Sequence, residues 1–186
     1  MQANRLNLGC GKKLLSGYFN VDKFGQPDLL YDLELFPWPW EDNSCQEVLM
    51  HHILEHLGET TNIFLNVIKE LYRICIPDAL IKITVPHPRH NDFIGDPTHK
   101  RAITIEGLSL FSKKLNQQWT QRGYANSPLG LHLDVDFEIV SANVVPEEPW
   151  KTRLQEKEIT QDDFFQAAKQ FNNVIKELFI ILKVIK

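Results

Sequence analysis

Apolar positions along this chain follow two periods. Leu6–Cys10, Phe19–Asp22, Asp28–Leu33, Glu47–Met50 and Leu80–Val85 are short runs with strand character. Between the last two lies a stretch with helical spacing. Ile63, Phe64, Val67, Ile68, Leu71 and Tyr72 recur at i, i+1, i+4, i+5, i+8 and i+9, one face of a helix packed against a sheet. Thr60 or Thr61 is placed to cap its N-terminus. Pro77-Asp78 ends the helical unit, and the β-branched-rich run Leu80–Val85 is stopped by Pro86. Strand and helix alternating through short connections predict an α/β fold with a mostly parallel sheet.

The intervening stretches are polar or rich in turn residues. Residues 12–17 are too few for a full helix, so the helix expected between the first two strands is shortened or absent. Leu35-Phe36-Pro37-Trp38-Pro39-Trp40 carries two prolines and reads as a loop, its rings packing either over a flat ligand or on the protein's own core. Glu41–Ser44 is turn chemistry, and His51–Leu57 a loop or helical turn. Residues 86–103 read as a long polar loop, after which Thr104 caps a helix running to about Phe111. Phe137–Val145 is a further strand. At the C-terminus, Phe164, Ala168, Phe171, Ile175, Leu178 and Leu182 keep helical spacing, but Asn172-Asn173 interrupts them. Leu178–Leu182 is five consecutive apolar residues, as in a strand buried on both faces. The expected division is a helix near 161–171 and a strand near 176–185.

Composition narrows the class. In 186 residues, 43% apolar and 24% charged content is that of a single globular domain spanning 1–186. The net charge of −4 is unevenly spread: residues 1–81 hold 6 basic and 11 acidic side chains, residues 82–123 hold 7 basic and 3 acidic. Cys10, Cys45 and Cys75 form no C-x-x-C pair and are expected to be free thiols. A strand begins within five residues of Met1 and no apolar run approaches the roughly 20 residues of a membrane span, so a soluble, cytoplasmic protein is expected.

The candidate chemistry starts at the first strand. Leu6-Asn7-Leu8-Gly9-Cys10-Gly11 is a buried strand running into a glycine turn, and Tyr18-Phe19-Asn20-Val21-Asp22 a second strand ending on a carboxylate. Glycines let the backbone approach a ligand closely, and an acid at the next strand tip can accept from ribose hydroxyls, so the pair suits a nucleoside-bearing cofactor. A plain tight turn and a solvated acid are the blander readings. His87, at the tip of the Leu80–Val85 strand, stands at the edge where such sheets hold ligands, as a proton acceptor or as a residue that orders its loop. His87-x-x-His90-x-Asp92, with Asp96 and His99, is rich in metal-type ligands; polar loops collect such residues without metal far more often, and no metal is expected.

The glycine motif, Asn20-Val21-Asp22, Asp32-Leu33, the Glu41–Ser44 turn before Val48 and His52-Ile53-Leu54-Glu55-His56-Leu57 fall in a fixed order. Together they resemble the class I S-adenosylmethionine-dependent methyltransferases, and within them a small bacterial group whose first motif continues into Gly-x-x-Asn-x-Asp, here Gly17–Asp22. The match covers about residues 5–87. The resemblance implies a Rossmann-like sheet in the order 3-2-1-4-5-7-6 with the seventh strand antiparallel. It also implies S-adenosylmethionine as cofactor: the backbone at Leu8, Gly9, Cys10 and Gly11 bordering its methionine part, Asp22 on the ribose, Asp32 and Leu33 on the adenine. His51 or His52 falls near the sulfonium and the substrate, His51 with His87 on the catalytic side and His52 on the cofactor side. Two departures stand out: Lys13 occupies the place of a common third glycine, and only ten residues separate Gly11 from Asp22. A small or medium-sized acceptor is expected and a nucleic acid is not, since no Asn-Pro-Pro-Tyr motif or broad basic patch is present. Acceptor identity and oligomeric state stay open at this stage, and a non-catalytic domain retaining the cofactor fold is the alternative.

Overall fold

The computed structural model describes Met1 and residues 3–186. Seven strands form one sheet: β1 (Arg5–Leu8), β2 (Phe19–Asp22), β3 (Leu29–Leu30), β4 (Cys45–His51), β5 (Cys75–Pro86), β6 (Phe137–Pro146) and β7 (Ile175–Val184). Their order is β3-β2-β1-β4-β5-β7-β6, with β1 to β5 parallel and β7 antiparallel to both β5 and β6. This is the order and the single reversed strand that the resemblance implied. The central strands are buried as their patterns require: Leu6, Leu8, Val21, Val48, Met50, Ile81, Ile83 and Val85 are all 0% exposed.

Helix α1 (Thr61–Ile74) crosses from β4 to β5 and buries Phe64, Val67, Ile68, Leu71 and Ile74. Thr60 rather than Thr61 is its cap, accepting from Ile63 N–H at 3.4 Å. Four short helices follow β5: α2 (Asn91–Ile94), α3 (Ile105–Ser109, capped by Thr104), α4 (Lys113–Gln121) and α5 (Leu129–Leu133). Helices α6 (Trp150–Gln155) and α7 (Gln161–Gln170) connect β6 to β7, and Thr160 and Asp163 close a reciprocal capping box on α7. No helix among the described residues is long and apolar enough to cross a membrane.

The C-terminal run is strand, and the reason is tertiary. Strand β7 slots between β5 and β6 along nearly its whole length, so its carbonyls and N–H groups are satisfied by two neighbours. Elsewhere the boundaries shift. Only Leu29–Leu30 of the third stretch joins the sheet, because the Asp28 carboxylate turns back to accept from Asn20 N–H at 2.8 Å. Pro77-Asp78 does not end the helical unit; it lies inside β5, where the register with β4 slips between the Cys45↔Cys75 and Glu47↔Leu80 pairs and Asp78 takes φ +62°. The 86–103 stretch contains α2, and residues 113–121 fold as a helix that their polar composition concealed. The tryptophan loop packs on the core: Trp38 and Trp40 are each 2% exposed and meet edge-to-face at 5.9 Å. Arg73 fastens the loop by donating to the carbonyls of Trp38 and Trp40. All three cysteines are free and buried.

Candidate functional site

The parallel strands deliver their C-terminal ends to one edge, and the sequence-derived site residues line it. At the end of β1 the chain turns sharply: Gly9 (φ +68°) and Gly11 (φ +52°) are left-handed, and Gly9 and Cys10 N–H both donate to the Val21 carbonyl, at 2.8 and 3.1 Å. A Cβ on Gly9 would stand 2.4 Å from Ile53 Cγ1, so only glycine lets the turn pack beneath the β4 exit. A Cβ on Gly11 meets nothing within 4 Å, so the turn opens outward there. Leu8 lies wholly in the core and offers the edge only its backbone. Cys10 is 5% exposed, and burial, then the nearby Asp22, push its thiol pKa up, so it stays neutral.

No helix joins β1 to β2, and a polar knot replaces it. Buried Asn7 donates to the Lys13 carbonyl at 3.0 Å and to Asn20 Oδ1 at 2.9 Å. Asn20 Oδ1 also accepts from Leu15 N–H at 2.8 Å, while Asn20 Nδ2 donates to Asp28 at 2.9 Å. The Asn20 backbone N–H, and then its side-chain amide, hold the Asp28 carboxyl below the usual carboxylate range. The 12–17 loop is therefore fixed by side chains at two buried strand positions, and Lys13 takes part through its carbonyl.

At the end of β2 the Asp22 carboxylate accepts from Gly11 N–H at 2.8 Å and from Phe24 N–H at 2.9 Å. Each oxygen keeps a further acceptor site. Beyond it, Lys23, Phe24, Leu30, Tyr31 and Asp32 line an open cleft of about 450 Å³. Phe24 and Leu30 are 70% and 61% exposed, apolar groups left uncovered beside two acids. Asp32 Oδ1 accepts from Glu34 N–H at 2.9 Å. Leu33 is 4% exposed, its side chain in the core and its carbonyl accepting the Trp38 indole N–H.

The ends of β4 and β5 carry the histidines. His51 is exposed and makes no side-chain hydrogen bond among the described residues; partial burial, then Lys13 and His52, hold its pKa below the usual value. His52 takes φ +49° and lies between two acids, with Nδ1 3.4 Å from Glu55 Oε1 and Nε2 3.3 Å from Glu177 Oε1. The Glu55 carboxylate is the largest influence raising its pKa, against burial and with help from Glu177. His87 Nδ1 accepts from Arg89 N–H at 3.2 Å, which places the ring proton on Nε2; burial and Arg89 lower its pKa.

The His87, His90, Asp92 set does not converge. His90 Nδ1 accepts from Asp92 N–H as the α2 cap, and its Nε2 lies 3.1 Å from Glu147. Sequence reading missed Glu177 and the role of Glu55. Glu177 is remote in sequence and reaches the edge only because β7 runs antiparallel, setting it opposite Pro86. Glu55 enters the sequence reading only as part of the His52–Leu57 motif, with no role of its own, whereas it is a carboxylate 0% exposed. A separate cavity of about 210 Å³, lined mainly by apolar residues of α1 and the 101–111 segment, contains none of the predicted residues.

A scan against protein-family models finds no match, and a search of curated proteins finds none. Solved structures do match. A SAM-dependent methyltransferase from Archaeoglobus fulgidus is 18% identical with a TM-score of 0.61, covering 98% of this chain and 86% of that one. The Burkholderia thailandensis 1,6-didemethyltoxoflavin-N1-methyltransferase, with 1,6-didemethyltoxoflavin and S-adenosylhomocysteine bound, is 12% identical with a TM-score of 0.54, covering 100% and 72%. The 4+2 cyclase SpnF is 11% identical with a TM-score of 0.53, covering 99% and 75%. The chain thus has the class I S-adenosylmethionine-dependent methyltransferase fold.

Proposed function

We propose that the chain binds S-adenosylmethionine and transfers its methyl group to a small or medium-sized acceptor. The observation that carries this reading is the convergence of an outward-opening glycine turn, Asp22 and Asp32 on one sheet edge, beside an uncovered apolar cleft. The fit is chemical. Asp22 keeps acceptor capacity for a ribose diol, Phe24 and Leu30 offer flat apolar contact for a purine, and Asp32 stands by to accept from an exocyclic amine. S-adenosylmethionine supplies an electrophilic methyl group on a sulfonium centre. The protein's part is to hold the two partners in line and keep water out, and orientation alone accounts for several kcal/mol of barrier. For an acceptor protonated at neutral pH, His51 is the base: its pKa is lowered, it is exposed at the β4 tip, and it makes no side-chain hydrogen bond among the described residues. His87 serves rather as a donor or positioning group, since its Nδ1 lone pair is directed at Arg89.

A second reading keeps the fold without methyl transfer; one structural neighbour carries the name of a cyclase. Calorimetry with S-adenosylmethionine and S-adenosylhomocysteine separates the two. Micromolar binding that Asp22→Ala abolishes without loss of helical circular dichroism supports the enzyme, whereas silence at millimolar ligand removes it.

A further inference from the structure

Immediately after β4, a single 3-10 turn (Leu54–His56) presents Glu55 and His56 side by side, and the loop after α2 folds back to bring His99 against them. One donor atom from each of the three lies within 4.8 Å of the other two, and the imidazole rings of His56 and His99 meet edge-to-face at 4.5 Å.

All three side chains are prepared to give lone pairs. The Thr98 hydroxyl donates to Asp96 Oδ1 at 2.6 Å, so its oxygen, 3.0 Å from His56 Nδ1, accepts there. That bond puts the His56 proton on Nδ1 and leaves Nε2 bare. His99 Nδ1 lies 2.8 Å from the Phe93 carbonyl, which can only accept, so the lone pair of His99 sits on Nε2, with Asp96 Oδ2 3.8 Å away as a charged neighbour. The Glu55 side chain is 1% exposed, and neither of its oxygens has a hydrogen-bond partner. The contact to His52 Nδ1 at 3.4 Å does not have hydrogen-bond geometry. Buried polar atoms in native proteins are satisfied, so two orphaned oxygens on one side chain call for a partner. Histidines whose distal N–H is held by a carbonyl or by a hydroxyl–carboxylate relay are the usual second shell of metal ligands.

We propose that Glu55, His56 and His99 hold one divalent first-row transition ion of the Zn²⁺ type. Two imidazole nitrogens and one carboxylate suit such ions better than Ca²⁺ or Mg²⁺, which take oxygen ligands. Bonds of about 2.0–2.2 Å draw the donors of one ion to roughly 3.5 Å apart, a small inward rotation of the three side chains. Three protein ligands leave a coordination position for water or a substrate oxygen, the pattern of catalytic metal sites. Sequence spacing pointed instead to His87, His90 and Asp92 and to no metal; the fold pairs His99 with a different turn.

The test reads metal alone and does not depend on methyl transfer. Protein freed of metal by chelation is titrated with Zn²⁺ by calorimetry and with Co²⁺ by its visible absorption. One equivalent is expected to bind. His56→Ala and His99→Ala each abolish stoichiometric binding with unchanged circular dichroism, and His132→Ala, at an exposed position, leaves it intact. Thr98→Val, which removes the group orienting His56, weakens binding roughly 10- to 100-fold. Substoichiometric uptake by the unaltered protein, or full uptake by both histidine variants, overturns the proposal. S-adenosylhomocysteine titrated into the same samples distinguishes loss of this site from failure of the methyltransferase reading.

Discussion

Asp22 Oδ2 accepts the backbone N–H of Gly11 at 2.8 Å, so the acid at the tip of β2 and the glycine turn after β1 form one unit. The turn is held open by the group proposed to bind ribose, and cofactor binding and loop geometry are thereby coupled. The two glycines of the turn differ sharply in what surrounds them.

Gly9→Ala places a methyl 2.4 Å from Ile53 Cγ1 in a left-handed conformation. Strain of about 1–2 kcal/mol adds to overpacking of about 1–3 kcal/mol, so thermal unfolding is expected to drop by many degrees. Gly11→Ala meets open space and carries the strain alone, about 1–2 kcal/mol. Its methyl enters the proposed cradle, so S-adenosylhomocysteine affinity falls more than stability. Equal effects of the two substitutions on melting temperature would contradict this division.

Asn20→Ala removes the acceptor shared by Asn7 and Leu15. Leaving buried groups unpaired costs about 1–3 kcal/mol, and the loop loses what holds it in place of a helix. Limited trypsin digestion is expected to cut faster after Lys12 and Lys13 than in the unaltered protein. An unchanged cleavage rate there would show that the knot does not restrain the loop.

His51→Ala is expected to lower turnover by about 10²–10⁴-fold while cofactor affinity stays within a factor of a few. His87→Ala lowers turnover less, through loss of the Arg89 contact that orders the start of the 86–103 segment. Single-turnover rates alongside calorimetric affinities check both. A larger loss from His87→Ala moves the base to β5.

Glu47, in mid-β4, accepts from Lys82 Nζ at 2.8 Å and from the Tyr18 hydroxyl. Burial pushes its pKa up, but the bonds from Lys82 and Tyr18, with the charges of Lys82 and Arg5, outweigh it and hold the carboxyl below its usual value. A depressed folded pKa contributes stability above the unfolded value of about 4.5 and loses it as pH falls through the folded value. The melting-temperature gap between the unaltered protein and Glu47→Gln is therefore widest near pH 7 and closes below pH 4.5. A gap that does not change with pH would refute the charge-based account.

The sequence by itself determined the sheet and the edge that carries the candidate site. Leu6, Leu8, Val21, Val48, Met50, Ile81, Ile83 and Val85 are wholly buried, and these short apolar runs between turn residues are readable as strands without context. Gly9 and Gly11 were legible because left-handed backbone at a strand exit leaves few other residues. Helix α4 was hidden because its sequence, Lys-Lys-Leu-Asn-Gln-Gln-Trp-Thr-Gln, offers almost no apolar period. Tertiary structure alone decided three matters. Leu178–Leu182 became strand because β5 and β6 both had open edges for it. Asn7, Asn20 and Asp28 became the substitute for a helix because parallel pairing sets Asn7 beside Asn20. Glu177 and His99 reached the β4 tip through a reversed strand and a folded-back loop. Hydrophobic period encodes which face of an element is buried; it carries no information on which distant polar side chains the packed elements then bring within bonding distance.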